Sequence, residues 1–174
     1  NMISVLAGKY KGRKLNDVKN LHVRPTQAKV RKSIFQILEP LNEMEVLDLY
    51  AGVGTLGIEA ISRGASHVVF VEKSRRVVKI LKKNLDSFES DNYNIFLADA
   101  LQYATRLNTP TFDIIFADPP YAEVQYKKIQ EKVEGILKPG GVFCMEMKKE
   151  DIDIPNVRVK HYGSTQVVFW RSVA

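Results

Sequence analysis

The chain has 174 residues, 45% hydrophobic and 26% charged, with a formal net charge of +6. That length suffices for one well-buried domain and is short for two, and the composition is that of an ordinary globular protein. No apolar run approaches the roughly 20 residues that span a bilayer, and nothing reads as a secretory leader.

The charge is unevenly spread. Residues 1–33 carry nine basic side chains (Lys9, Lys11, Arg13, Lys14, Lys19, Arg24, Lys29, Arg31 and Lys32) against one acid, Asp17, while the rest carries 17 basic and 19 acidic residues. Such polarisation reads as an electrostatic footprint for a polyanion, nucleic acid above all; the alternative is a solvated basic face without a partner. The single cysteine, Cys144, cannot form an internal disulfide; it fits a reducing cytosol and reads as a small hydrophobe in a core strand. The expected location is therefore the cytoplasm, with no membrane partner.

In chain order, "ISVLAGKYKGRKL" has strand-like ends around Gly8 and Gly12 and predicts a small hairpin. "RPTQAKVRKSIFQIL" predicts a helix from Thr26 to Leu38, with Thr26 as N-cap and Val30, Ile34, Ile37 and Leu38 at helical spacing. From Glu45 strands and helices alternate: strand "EVLDLY", a glycine loop and a helix over Leu56–Arg63, then strand "HVVFVE" and a long basic helix from Ser74 to Phe88. There follow strands "NIFLAD" and "FDIIFAD", a helix from Val124 to Leu137, the turn "KPGG", strand "VFCMEM", and two tail strands, "VRVKHYG" and "TQVVFWRS", forming a hairpin. The alternation implies an α/β fold, a doubly wound, mostly parallel sheet covered on both faces. The organisation expected is one compact unit: a basic N-terminal hairpin and helix extension over 1–44 and a ligand-binding domain over 45–174.

"DLYAGVGTLGIEA" places Gly52, Gly54 and Gly57 at G-x-G-x-x-G spacing after a strand and before a helix, the context that gives the motif meaning. Three acids lie at successive strand ends: Asp48 just before the loop, Glu72 and Asp99. Open α/β sheets bind ligands along that edge, although a lone acid there is often only a helix cap. Glu72 is placed to accept from ribose hydroxyls and Asp99 from a purine amine. Both NAD and S-adenosylmethionine fit, but the redox reading lacks a proton donor: the one Tyr-x-x-x-Lys spacing, Tyr10 to Lys14, falls in the basic hairpin, and His67 and His161 read as structural.

"FDIIFADPPY" then ends a strand with Asp118, Pro119, Pro120 and Tyr121. Two prolines fix the backbone and remove N–H donors. A carboxylate and a rigid carbonyl can then accept both hydrogens of one exocyclic amine, with Tyr121 offering a stacking face. These acceptors aim the nitrogen lone pair at an electrophile, which is catalysis by orientation and electrostatics. No metal is required.

These motifs, with "VFVE", "ADA" and "LKPGG", resemble the class I S-adenosylmethionine-dependent methyltransferases that act on exocyclic amino nitrogens. "GKYKGRKL" and "VRPTQAKVRKSIFQIL" look more specifically like the small bacterial enzymes that methylate N2 of a guanine in 16S ribosomal RNA. The resemblance covers nearly the whole chain and implies a Rossmann-like seven-stranded sheet with a reversed, antiparallel C-terminal hairpin. It implies that Asp48, Ala51, Gly52, Gly54, Gly57, Glu72, Asp99 and Ala100 hold the cofactor, and that Asp118, Pro119, Pro120 and Tyr121 hold the flipped guanine. The implied RNA contacts are Lys9, Lys11, Arg13, Lys14, Arg24, Thr26, Arg31 and Tyr121. The partner implied is ribosomal RNA within a partly assembled small subunit, bound by a monomer. The rivals are a DNA amino methyltransferase, which usually adds a DNA-reading domain for which no residues remain, and a catalytically silent RNA-binding assembly factor.

Overall fold

The computed structural model describes residues 3–18, 28–119 and 125–173. A short hairpin of β1 (Ile3–Ser4) and β2 (Lys14–Leu15) precedes α1 (Ala28–Leu38). Then come β3 (Glu45–Leu49), α2 (Thr55–Ser62), β4 (His67–Glu72), α3 (Arg75–Asp86), β5 (Tyr93–Leu97), α4 (Ala100–Arg106), β6 (Phe112–Ala117) and α5 (Tyr126–Val133). The chain ends with β7 (Leu137–Lys148), β8 (Val157–Tyr162) and β9 (Thr165–Arg171). Seven strands form one sheet in the order β5-β4-β3-β6-β7-β9-β8. Strands β3 to β7 run parallel, and β9 inserts antiparallel between β7 and β8. This is the expected doubly wound sheet with a reversed final hairpin.

The inner strands are largely apolar because both faces are covered, and their period of two divides the core, whereas the edge strands β5 and β8 are more exposed. Val68 and Phe70 of β4 join Phe35 of α1, Ile58 of α2, Leu81 of α3 and Phe116 on one face. Val69 and Val71 join Ala104 of α4, Ile129 of α5 and Phe143 on the other.

The N-terminal hairpin is fastened to α2. Glu59, fully buried, accepts from the backbone N–H of Leu6 at 2.9 Å and of Ala7 at 3.1 Å, and from Arg63 Nε at 2.8 Å. The Ser62 carbonyl and hydroxyl accept from the N–H groups of Lys9 and Tyr10. The approach is close enough that a Cβ on Gly8 (φ +87°) would lie 1.9 Å from the Ser62 carbonyl oxygen. Val5, Tyr10 and Leu15 share the buried cluster of Val46 and Phe116.

Three boundaries differ from the sequence reading. The connection from β5 to β6 contains α4, for which the sequence predicts no helix; only seven residues long, its pattern is short, and Asp99 starts it by accepting from Gln102 N–H. The helix expected to reach Leu137 ends at Val133 and tightens into a 3-10 turn over Glu134–Ile136. "KPGG" is not a turn before β7 but a bulge within it: the register jumps from Phe112↔Leu137 to Ile114↔Val142. Gly140 (φ +78°) donates to Ser172, and Ser172 donates to Gly141, so the bulge is tied to the end of β9. The expected cap Thr26 lies outside the described residues.

Candidate active site

The strand order reverses beside β3, whose neighbours β4 and β6 lead to connections on opposite sides of the sheet, and such a switch point opens a crevice at the strand carboxyl ends. The register levels the residues there. Leu49 pairs with both Val71 and Ala117, so Tyr50, Glu72 and Asp118 stand one step further along in a single row. Asp99 follows two residues beyond Leu97, the partner of Glu72.

The glycine loop closes over this row. Glu72 Oε1 accepts from Gly52 N–H at 3.0 Å, and its Oε2 accepts from Ser74 N–H at 2.8 Å. One carboxylate thus ties the loop after β3 to the start of α3. Asp48 Oδ2 accepts from Gly57 N–H at 2.9 Å, bonding the strand to the first turn of α2. Gly57 leaves no alternative, since a Cβ there would stand 2.3 Å from Phe70 and 3.0 Å from Asp48 Oδ2. Gly52 (φ +59°) and Gly54 (φ +96°) have left-handed backbones that L-residues avoid, and Gly52 faces open space where a Cβ would be. Ala51 is buried at the loop's start.

The edge is anionic. Asp48 is 2% exposed, and burial pushes its carboxyl well above the ordinary range; the Gly57 N–H bond opposes this, while the charges of Asp118 and Glu72 add to it. Such a cluster favours a cationic ligand over a second anion. It suits a sulfonium better than a pyrophosphate.

Of the residues expected here, Asp48, Ala51, Gly52, Gly54, Gly57, Glu72 and Asp118 lie together at the carboxyl-end edge of β3, β4 and β6, with Pro119 just beyond β6 and Asp99 and Ala100 just beyond β5. Asp99 is also a helix cap, through its Oδ2 on Gln102 N–H at 3.0 Å, and Ala100 is the first residue of α4. Pro120 and Tyr121, like Arg24 and Thr26, lie outside the described residues. Lys9, Lys11, Arg13 and Lys14 are exposed on the hairpin. Arg31 is a correction: it is 2% exposed and donates through Nη2 to the Ser4 carbonyl at 2.9 Å. Its helical position turns it under the hairpin, where a phosphate cannot reach it.

Two residues escaped the sequence reading. Tyr50, with left-handed φ of +56°, occupies the row between Glu72 and Asp118, and its hydroxyl is pushed up to about 12 by burial and then by Asp99. Its place between strand and glycine loop was the available signal. Asn84 of α3, 1% exposed, donates to the Val53 carbonyl of the loop at 2.9 Å and exchanges three bonds with Asn16 beyond the hairpin. A polar residue on an otherwise apolar helix face was its signal. Among the described residues no cluster of His, Cys, Asp and Glu could hold a metal ion, and no helix is long and apolar enough to cross a membrane.

A family model described as "Conserved hypothetical protein 95" matches residues 3–171. Ribosomal RNA small subunit methyltransferase D of Haemophilus influenzae is 34% identical over 156 residues, covering 85% of this chain and 80% of the relative. The protein of the same name from Buchnera aphidicola subsp. Acyrthosiphon pisum is 32% identical over 157 residues, with 88% and 82% covered. The solved structure of Escherichia coli yhhF superposes with a TM-score of 0.89 at 28% identity, covering 100% of this chain and 99% of that one. The chain belongs to the Conserved hypothetical protein 95 family, together with the small-subunit ribosomal RNA methyltransferases D that it matches over most of both lengths.

Proposed function

We propose that this chain transfers a methyl group from S-adenosylmethionine to the exocyclic N2 amino group of a guanine in small-subunit (16S) ribosomal RNA. The observation that carries the reading is the row of Glu72, Tyr50 and Asp118 across the switch point, facing a glycine loop, in a chain whose relatives are named ribosomal RNA methyltransferases.

The residues fit the cofactor. The Gly52 backbone leaves open space where a Cβ would block approach, and the surrounding carboxyls match a cation. Ala51 to Gly57 and Asp48 would hold its methionine end. Each Glu72 oxygen already accepts one N–H and keeps a second lone pair for a ribose hydroxyl. Asp99 and the backbone of Ala100 would take the adenine. When bound, S-adenosylmethionine supplies an electrophilic methyl group on a sulfonium.

The protein's part is to make a poor nucleophile reactive. The amino lone pair of guanine is delocalised into the ring. Asp118 and a carbonyl of the Pro119-Pro120 pair accept its two hydrogens, which draws the nitrogen toward a tetrahedral form with the lone pair directed at the methyl carbon. Tyr121 stacks on the flipped base, an interaction typically worth about 1–3 kcal/mol. Methylation would make the amino nitrogen acidic, and Asp118, or water, would take the proton it sheds.

The extension over residues 1–44 supplies the RNA-side cations Lys9, Lys11, Arg13, Lys14 and Arg24 with Thr26, while residues 45–174 supply the chemistry. The enzyme acts as a cytoplasmic monomer on a partly assembled subunit, whose proteins help shape the target. The test is transfer of labelled methyl to protein-free 16S RNA, to small-subunit particles lacking the modification and, in parallel, to duplex DNA, followed by nucleoside analysis. Label in N2-methylguanosine supports the reading. Label only in N6-methyladenine or N4-methylcytosine of duplex DNA, or cofactor binding without transfer, defeats it.

A further inference from the structure

The basic helix α3 has no part in the chemistry above, yet its charges are arranged against the helix's own stability. Arg75 and Arg76 occupy the first turn, where the helix dipole disfavours cations, and the first turn holds no acid. Arg75 and Lys79, and Lys79 and Lys83, are like-charge pairs four residues apart, each of which destabilises the helix. Helical spacing gathers Arg75, Arg76, Lys79, Lys82 and Lys83 on one stripe with a single acid, Asp86, and all are exposed. The opposite stripe, Val77, Val78, Leu81 and Leu85, is buried in the protein. No apolar face remains to enter a lipid surface, as an amphipathic membrane helix requires.

The stripe joins the hairpin rigidly. Asn84 binds Asn16 through three hydrogen bonds, Arg13 Nη1 donates to the Ser87 carbonyl at 2.9 Å, and the Tyr10 and Phe88 rings lie 4.6 Å apart. At its other end α3 begins at Ser74, whose N–H is held by Glu72 on the catalytic edge. Twelve residues of helix span about 18 Å, so cations run from the reacting edge to the hairpin along several phosphate steps.

We propose that the exposed face of α3 is a docking surface for the phosphate backbone of the substrate RNA, continuous with the hairpin, which carries the strand flanking the target guanine away from the catalytic edge. The inference rests on the ribosomal RNA reading and extends it. It is sequence-independent positioning, with no base read by these side chains.

The test is equilibrium binding to 16S RNA between 50 and 200 mM salt, comparing the native protein with the triple variant Lys79→Gln/Lys82→Gln/Lys83→Gln. Each lost phosphate contact lowers the salt slope by about 0.7–0.9, so the variant's log–log slope falls by roughly 2–3 and the native protein's advantage shrinks about 20- to 40-fold across that range. The melting temperature does not fall, because relieving the like-charge pairs favours the helix, and S-adenosylmethionine affinity stays unchanged, which shows the variant folded. The control Lys127→Gln/Lys128→Gln/Lys132→Gln removes the same charge from exposed positions on α5 and leaves the slope alone. An equal fall in both variants, meaning net charge only, overturns the surface. So does an unchanged slope in the α3 variant, including the case where activity is lost only on protein-containing particles, which assigns the face to an acidic protein. A native protein that neither binds nor methylates small-subunit RNA overturns the ribosomal reading itself, whereas methylation with an unchanged slope overturns α3 alone.

Discussion

Asn84→Ala tests whether one buried amide holds the glycine loop to the N-terminal segment. Asn84 is 1% exposed and uses both donors and both acceptor positions: Nδ2 to the Val53 carbonyl at 2.9 Å and the Asn16 carbonyl at 3.1 Å, with Oδ1 accepting from Asn16 N–H at 2.7 Å and Asn16 Nδ2 at 3.1 Å. Truncation strands the buried Val53 carbonyl, a loss of about 1–3 kcal/mol, while the half-buried Asn16 groups turn partly to water and lose less. A total of about 3–4 kcal/mol corresponds to a melting temperature lower by roughly 6–15 °C for a domain of this size. Val53 lies inside the glycine loop, so S-adenosylmethionine affinity falls as well, and the Asn16 amide exchanges faster with deuterium. Asn84→Asp separates the donors from the acceptors. It keeps the bonds from Asn16 but turns an anion toward two carbonyls, so its penalty is greatest at neutral pH and lessens as falling pH protonates the new carboxyl. Thermal unfolding by circular dichroism and cofactor titration by calorimetry give the readout. A melting shift under about 2 °C with unchanged cofactor affinity would refute the clamp, since stranding a buried carbonyl alone should exceed it.

Asp118→Ala is expected to abolish methyl transfer while sparing S-adenosylmethionine binding; retained turnover would remove Asp118 from the chemistry. Asp48→Asn acts through pH: a carboxyl raised well above its ordinary range by burial binds its proton more tightly folded than unfolded, so its contribution to stability declines as pH climbs from the unfolded value toward the folded one. The variant is therefore more stable than the native protein at neutral pH, with a flatter melting profile, yet binds the cationic cofactor more weakly; parallel profiles for the two proteins would contradict this. Gly57→Ala drives a methyl to 2.3 Å from Phe70 and 3.0 Å from the Asp48 carboxylate, an overpacking cost of about 1–3 kcal/mol that also displaces Asp48. Denaturant unfolding and cofactor affinity should both deteriorate, and a native-like result in either would show the loop more yielding than its packing implies.

The parallel sheet was legible because its strands are short continuous apolar runs, ended by acids and separated by helical periods. The glycine loop and the acids at the strand ends are local signals whose meaning depends only on the element before and after them. Arg31 misled for the same reason: its charge is a property of the sequence, but its burial depends on the hairpin packing over α1 from 27 residues away, with Ser4 waiting for its guanidinium. Helix α4 was too short to show a period, and "KPGG" reads as a turn until Ser172 is seen to pair with it.

What the sequence by itself determined were the chemical types present: an acid, two prolines and a tyrosine after one strand, three glycines after another, and cations crowded at the start. Which of those types meet was decided by the register of parallel strands, because only pairing Leu49 with both Val71 and Ala117 sets Glu72, Tyr50 and Asp118 level. Hydrogen bonds between residues 68 positions apart, such as Asn16 with Asn84, likewise depend on how the chain returns upon itself, and no local pattern records that.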